Sequence, residues 1–181
     1  VDSYYSYYLL KNIKVIKRSI IAASCFMILS PISANETEQA LIDNARVTQY
    51  IEQTRNQFGG DDINTSVIKQ VGNDNTASIM QSQSASYQAG NFAFIYQQGS
   101  ENYGAISQHG SKHSAAIWQE GNSHKATINQ QNPNIALNAD IRQFGSSSDI
   151  YISQSGNGQQ RISIEQEAYS GTAPPVIVET H

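Results

Sequence analysis

The sequence predicts an all-β fold: a β-solenoid of stacked strand-turn-strand repeats of about 22 residues. Three observations predict it. A five-residue phrase, x-x-Ile-x-Gln, recurs nine times between residues 66 and 166. Most steps from one phrase glutamine to the next are 11 residues, and glycine returns two residues after most of those glutamines. Each phrase alternates, so its first, third and fifth residues share one face, as a strand requires. A helix does not fit, because Gly, Asn and Ser punctuate the chain too often to leave more than a turn.

Residues 1–34 read as an upstream extension plus a secretory signal peptide. Lys11, Lys14, Lys17 and Arg18 precede a mostly apolar run from Ile20 to Leu29, and then Pro31-Ile32-Ser33-Ala34. That run is about half of the roughly 20 residues a membrane span needs, so no transmembrane span is expected in the mature chain. Cys25, the only cysteine, lies inside the run and reads as a small apolar filler. Cleavage after Ala34 would leave an exported chain with no disulfide to hold it together.

Residues 35–65 form an N-terminal flanking segment. Its "EQALIDNARVTQYIEQTRNQF" fits a short helix, while "QYIEQ" (49–53) equally fits a degenerate strand. The repeat domain, 66–166, follows: "SVIKQ" (66–70), "ASIMQ" (77–81), "AFIYQ" (93–97), "GAISQ" (104–108), "AAIWQ" (115–119), "ATINQ" (126–130), "ADIRQ" (139–143), "IYISQ" (150–154) and "ISIEQ" (162–166). The inward face would carry Ile68, Ile79, Ile95, Ile106, Ile117, Ile128, Ile141, Ile152 and Ile164. It would also carry Gln70, Gln81, Gln97, Gln108, Gln119, Gln130, Gln143, Gln154 and Gln166. The turns would use Gly72, Gly99, Gly110, Gly121, Gly145 and Gly156, with Asn75 and Asn102 three residues after a turn glycine. In 167–181, "VIVET" (176–180) reads as a degenerate last strand or a loose tail.

Stacking explains the composition. A lone strand pair cannot bury its face, whereas stacked copies can. Each buried isoleucine contributes about 1.5–3 kcal/mol. A buried amide left unpaired costs roughly 1–3 kcal/mol, but in a ladder each amide donates to one neighbour and accepts from the other. The ends of such a stack stay open, and residues 66–166 hold one proline and 11 charges with which to blunt them. Few charges, β-rich phrases and ladders of identical side chains mark a cross-β, amyloid-competent chain.

The full pattern Gln-x-Gly-x-x-Asn-x-Ala-x-Ile-x-Gln, complete in "QVGNDNTASIMQ" (70–81), resembles the curlin repeat of bacterial curli fibres. The resemblance implies a secreted, extracellular amyloid subunit associated with the cell surface, active in adhesion and biofilm matrix. Its implied partners are other copies of itself, a homologous major subunit, and curli secretion and surface-tethering proteins. Lys112 and Lys125 stand in turns where major subunits tend to put glycine, and 35–65 is not glycine-rich. Both features resemble the minor, nucleating subunit more than the major one. The C-terminus departs from that type, because Arg161 is followed by Glu165, Glu167 and Glu179.

Other chemistries fit less well. The net charge of −4 gives no reason to expect nucleic acid. The acids Asp74, Glu101, Glu120, Asp140 and Asp149 fall in scattered turn or outward positions, so solvated charges rather than an enzyme site, and no cofactor, are expected. His109, His113 and His124 read as solvated or amide-like turn residues rather than metal ligands. Outward Phe94, Tyr96 and Trp118 share one side if alternate phrases share a sheet, and would offer a lateral contact to another filament or subunit. A monomeric surface-binding module is the alternative from a different class.

Overall fold

The computed structural model describes residues 36–58, 62–85, 89–169 and 171–181. The signal-peptide reading of 1–34 lies outside the described residues. Among those described, one helix, α1 (Glu36–Phe58), precedes ten strands. These are β1 (Thr65–Asn73), β2 (Thr76–Ser82), β3 (Phe92–Ser100), β4 (Tyr103–Gly110), β5 (Ser114–Asn122), β6 (Lys125–Asn132), β7 (Leu137–Ser146), β8 (Asp149–Ser155), β9 (Gln160–Ala168) and β10 (Val176–Thr180).

The strands form two parallel five-stranded sheets. Odd strands make one, in the order β1-β3-β5-β7-β9, and even strands the other, β10-β8-β6-β4-β2. Each odd-even pair is therefore one coil of a β-solenoid, and the described residues form five. Register is kept phrase by phrase: Ile68, Ile95, Ile117, Ile141 and Ile164 lie side by side in the odd sheet. Ile79, Ile106, Ile128 and Ile152 do so in the even sheet, and Val178 takes the same slot in β10. "VIVET" is thus a strand that closes the fifth coil. The irregular connections leave this register intact, so extra residues are absorbed outside the ladders.

The core lies between the sheets. Ala93, Ile95, Ala115, Ile117, Ala139 and Ile141 meet Ile106, Ala126, Ile128, Ile150 and Ile152, all essentially buried. The small alanine two residues before Ile95, Ile117, Ile128 and Ile141 lets the sheets close, and burial falls away in the end coils: Ile68 is 45 % exposed. The turns need glycine where successive coils approach. Gly121 has φ +133°, and a Cβ there would run into the carbonyl of Gly145 in the next coil.

The flanking segment is a helix rather than a strand. Nothing in Glu36–Phe58 is Gly or Pro, and Arg55 sits in the last turn, where the helix dipole favours a cation. The chain divides after Asp43, and residues 44–181 form one unit holding most of α1 and all the strands. Within that unit Val47, Tyr50, Ile51 and Thr54, spaced along one helical face, lie against the outer face of the odd sheet. Among the described residues no helix is long and apolar enough to cross a membrane.

Candidate functional site

The most regular side-chain arrangement between the sheets is the pair of glutamine ladders. In the odd sheet Gln70 Nε2 donates to Gln97 Oε1, Gln97 to Gln119 and Gln119 to Gln143, each at 2.8 Å. In the even sheet Gln81 donates to Gln108 at 2.7 Å, Gln108 to Gln130 at 2.9 Å and Gln130 to Gln154 at 2.8 Å. The second amide hydrogen crosses to the facing sheet: Gln97 to the Thr76 carbonyl at 3.0 Å, Gln108 to Phe92 at 3.1 Å, and Gln119 to Tyr103 at 3.0 Å. Gln97, Gln119, Gln130 and Gln143 are fully buried, and Gln108 and Gln154 nearly so. The inner amides Gln97, Gln108, Gln119 and Gln130 therefore use both hydrogens, and from the second rung onward each oxygen also accepts from the ladder, which removes the cost of burying it.

A second set of ladders runs along the turns. On one edge Asn75 Oδ1 accepts from the Asn102 backbone N–H at 3.0 Å, and Asn102 Oδ1 from that of His124 at 3.1 Å. His124 Nδ1 then pairs with Ser148 Oγ at 2.7 Å. On the other edge the chain is Asn64, Asn91, His113: Asn64 Oδ1 accepts from the Asn91 N–H at 3.0 Å and Asn91 Oδ1 from the His113 N–H at 2.9 Å. His113 Nδ1 accepts from the Leu137 N–H at 3.2 Å. Asn64 and Asn91 were not among the expected turn residues. Their signal is an amide two residues before each phrase, which the insertion between β2 and β3 displaces from the count after Gln81.

His109 is exposed, as a solvated turn residue would be, whereas His113 and His124 are amide-like and not solvated. His113 and His124 are buried, and burial lowers both pKa values from the ordinary imidazole range. They stand on opposite edges, and among the described residues no three His, Cys, Asp or Glu side chains gather as a metal site. Asp140 also departs from the solvated reading. Burial raises its pKa, while Arg142 at 2.8 Å and the Ser163 hydroxyl at 3.2 Å hold it back. It lines a cavity of about 250 Å³ beside α1 with Arg55, Arg142 and Arg161.

The aromatic residues require the largest correction. Phe94, Tyr96 and Trp118 do share the outer face of the odd sheet, but they are not an exposed lateral patch. At 0 %, 8 % and 4 % exposure they are covered by α1. Tyr96 and Trp118 stack with centroids 4.0 Å apart, and Tyr50 meets Trp118 edge-on at 5.6 Å. Lys69 lies 5.2 Å above the Tyr50 ring, Arg46 bridges to Glu120 at 2.9 Å, and Trp118 Nε1 donates to the same carboxylate at 2.8 Å.

With this geometry in place, comparison with known families is direct. The model of the curlin associated repeat matches residues 99–131, from the β3 turn glycine to the end of β6. Residues 99–131 carry a curlin associated repeat. No curated protein and no solved structure matches it. The matched curlin repeat holds the Gln108, Gln119 and Gln130 rungs and the turns of Gly99, Gly110 and Gly121. Register carries the same slots outward into the coils on either side.

Proposed function

We propose that this chain is a curli-type amyloid subunit that nucleates or templates extracellular fibre assembly. The observation that carries the reading is the pair of in-register glutamine ladders in sheets whose end strands, among the described residues, pair on one edge only. Such a stack extends by adding coils that bring the same side chains, and no covalent step is needed. Secretion, a place on the cell surface, and partnership with a homologous major subunit and with tethering proteins follow from the curlin resemblance. The nucleating role is favoured over that of the bulk fibre subunit by the turns. Lys112 and Glu101 hold positive φ values, 61° and 60°, where glycine-rich turns would be less strained.

The test is seeding. Substoichiometric amounts of the purified chain are expected to shorten the lag of a glycine-rich curlin-type partner, followed with an amyloid dye. An unchanged lag removes the nucleating role. A chain that also stays monomeric and dye-silent on its own removes the amyloid reading.

A further inference from the structure

The two ends of the stack are chemically different, and from this we infer that templating is one-sided. The free edges of β1 and β2 recruit, and they fit the end coil of another curlin-type chain carrying glutamine in both ladder slots. The inference rests on the assembly function proposed above and assigns it to one end.

Amide direction is the first argument. Because one amide hydrogen of each inner glutamine is committed to a carbonyl of the facing sheet, the other hydrogen and the oxygen must point along the stack. Gln70, Gln97 and Gln119 in one ladder, and Gln81, Gln108 and Gln130 in the other, all donate toward the C-terminal coils. The N-terminal end therefore presents amide oxygens, and Ser66 Oγ already donates to that of Gln81 at 2.6 Å. An incoming coil must bring N–H donors, which a glutamine ladder ending in free amides supplies.

At the other end the ladders stop short. Gln143 spends its hydrogens on the Lys125 and Ser148 carbonyls, both at 3.0 Å. Gln166 turns to the Pro174 carbonyl at 2.7 Å, and its Oε1 has no partner. Beyond Gln154 the slot in β10 belongs to Thr180.

Edge chemistry agrees. β1 and β2 carry one charge, Lys69, and expose Ile68, Val71 and Met80. β9 and β10 carry Arg161, Glu165, Glu167 and Glu179 and follow or adjoin Pro174-Pro175, features that blunt an edge strand. A second copy would bring this blunted end to β1 and β2. A curlin repeat with glutamine in both final slots makes the better occupant.

The test uses the full chain to seed a probe made of four tandem copies of residues 103–124, which place glutamine in every slot. Gln70→Glu with Gln81→Glu loads charge into the β1–β2 edge, and Gln166→Glu with Val178→Glu does the same at β9–β10. Circular dichroism checks folding. If the inward pair disturbs it, the exposed pair Val71→Lys with Met80→Lys replaces it. The lag is expected to return to its unseeded length with the β1–β2 variant and to stay short with the β9–β10 variant. Seeding kept by the first, or lost equally by both, overturns the one-sided template. If the chain itself extends such seeds as fast as the probe, the partner assignment is wrong. Failure of the unaltered chain to seed would instead remove the proposed nucleating role.

Discussion

A buried glutamine is tolerated here because it is one rung among several, and this makes its cost depend on position. Gln119→Leu would strand the Gln97 donor, the Gln143 oxygen and the Tyr103 carbonyl inside the core. Roughly 2–4 kcal/mol of destabilisation is expected in urea unfolding. Gln70→Leu, at the exposed end, strands only the Gln97 oxygen and should cost less, about 1 kcal/mol. Equal losses would mean that the ladder does not bear on stability. Gly121→Ala forces a Cβ into left-handed backbone space and into the Gly145 carbonyl, so a loss of about 2 kcal/mol or more is expected by the same measurement.

The two buried histidines set a pH dependence at the same scale. Their folded pKa values are lowered by burial, so the unfolded chain binds more protons than the folded one. Their contribution is complete above the unfolded value of about 6.5 and is lost as pH falls below it. A protonated His113 would also aim an Nδ1 hydrogen at the Leu137 N–H. Replacing both with asparagine, the residue that fills these slots in the earlier coils, keeps the turn acceptors and removes the titration. The melting temperature of the double variant should vary less between pH 7.5 and 5 than that of the unaltered chain. An identical pH profile would show that the imidazoles do not carry the acid sensitivity.

At the level of elements, the strands were legible and the helix was not. A phrase that stacks on copies of itself must repeat with fixed phase, so Ile95, Ile117 and Ile141 announce their own register. Segment 44–58 has no such copy. Its buried face is narrow, and "QYIEQ" satisfies strand alternation as well as it satisfies a helical turn. The fate of Phe94, Tyr96 and Trp118 was hidden for the same reason: outward in the phrase means exposed only if no other element covers the sheet. Docking of α1 can be read directly, because Trp118 is the only tryptophan. Tyr50→Ser with Ile51→Ser should red-shift its fluorescence while the β signal in circular dichroism persists. A red shift accompanied by loss of the β signal would instead make α1 part of the solenoid's own stability.

Across the whole molecule, a stack in which each coil touches only its neighbours should be most stable in its middle. Coils at the ends have one neighbour, leave Ile68, Met80 and Ile177 exposed, and contribute little to the buried cluster of alanines and isoleucines. Native-state hydrogen exchange should therefore be slowest for backbone amides of β3 to β7 and fastest for β1, β2 and β10. Exchange at one common rate throughout would mean that the five coils open only together. Assembly supplies the discriminating comparison. A coil added to the β1–β2 edge gives those strands the neighbour they lack, so their amides should slow toward the rate of the central coils, while those of β10 stay fast. Protection gained at β10 instead would place growth at the end where the ladders stop and the charges gather.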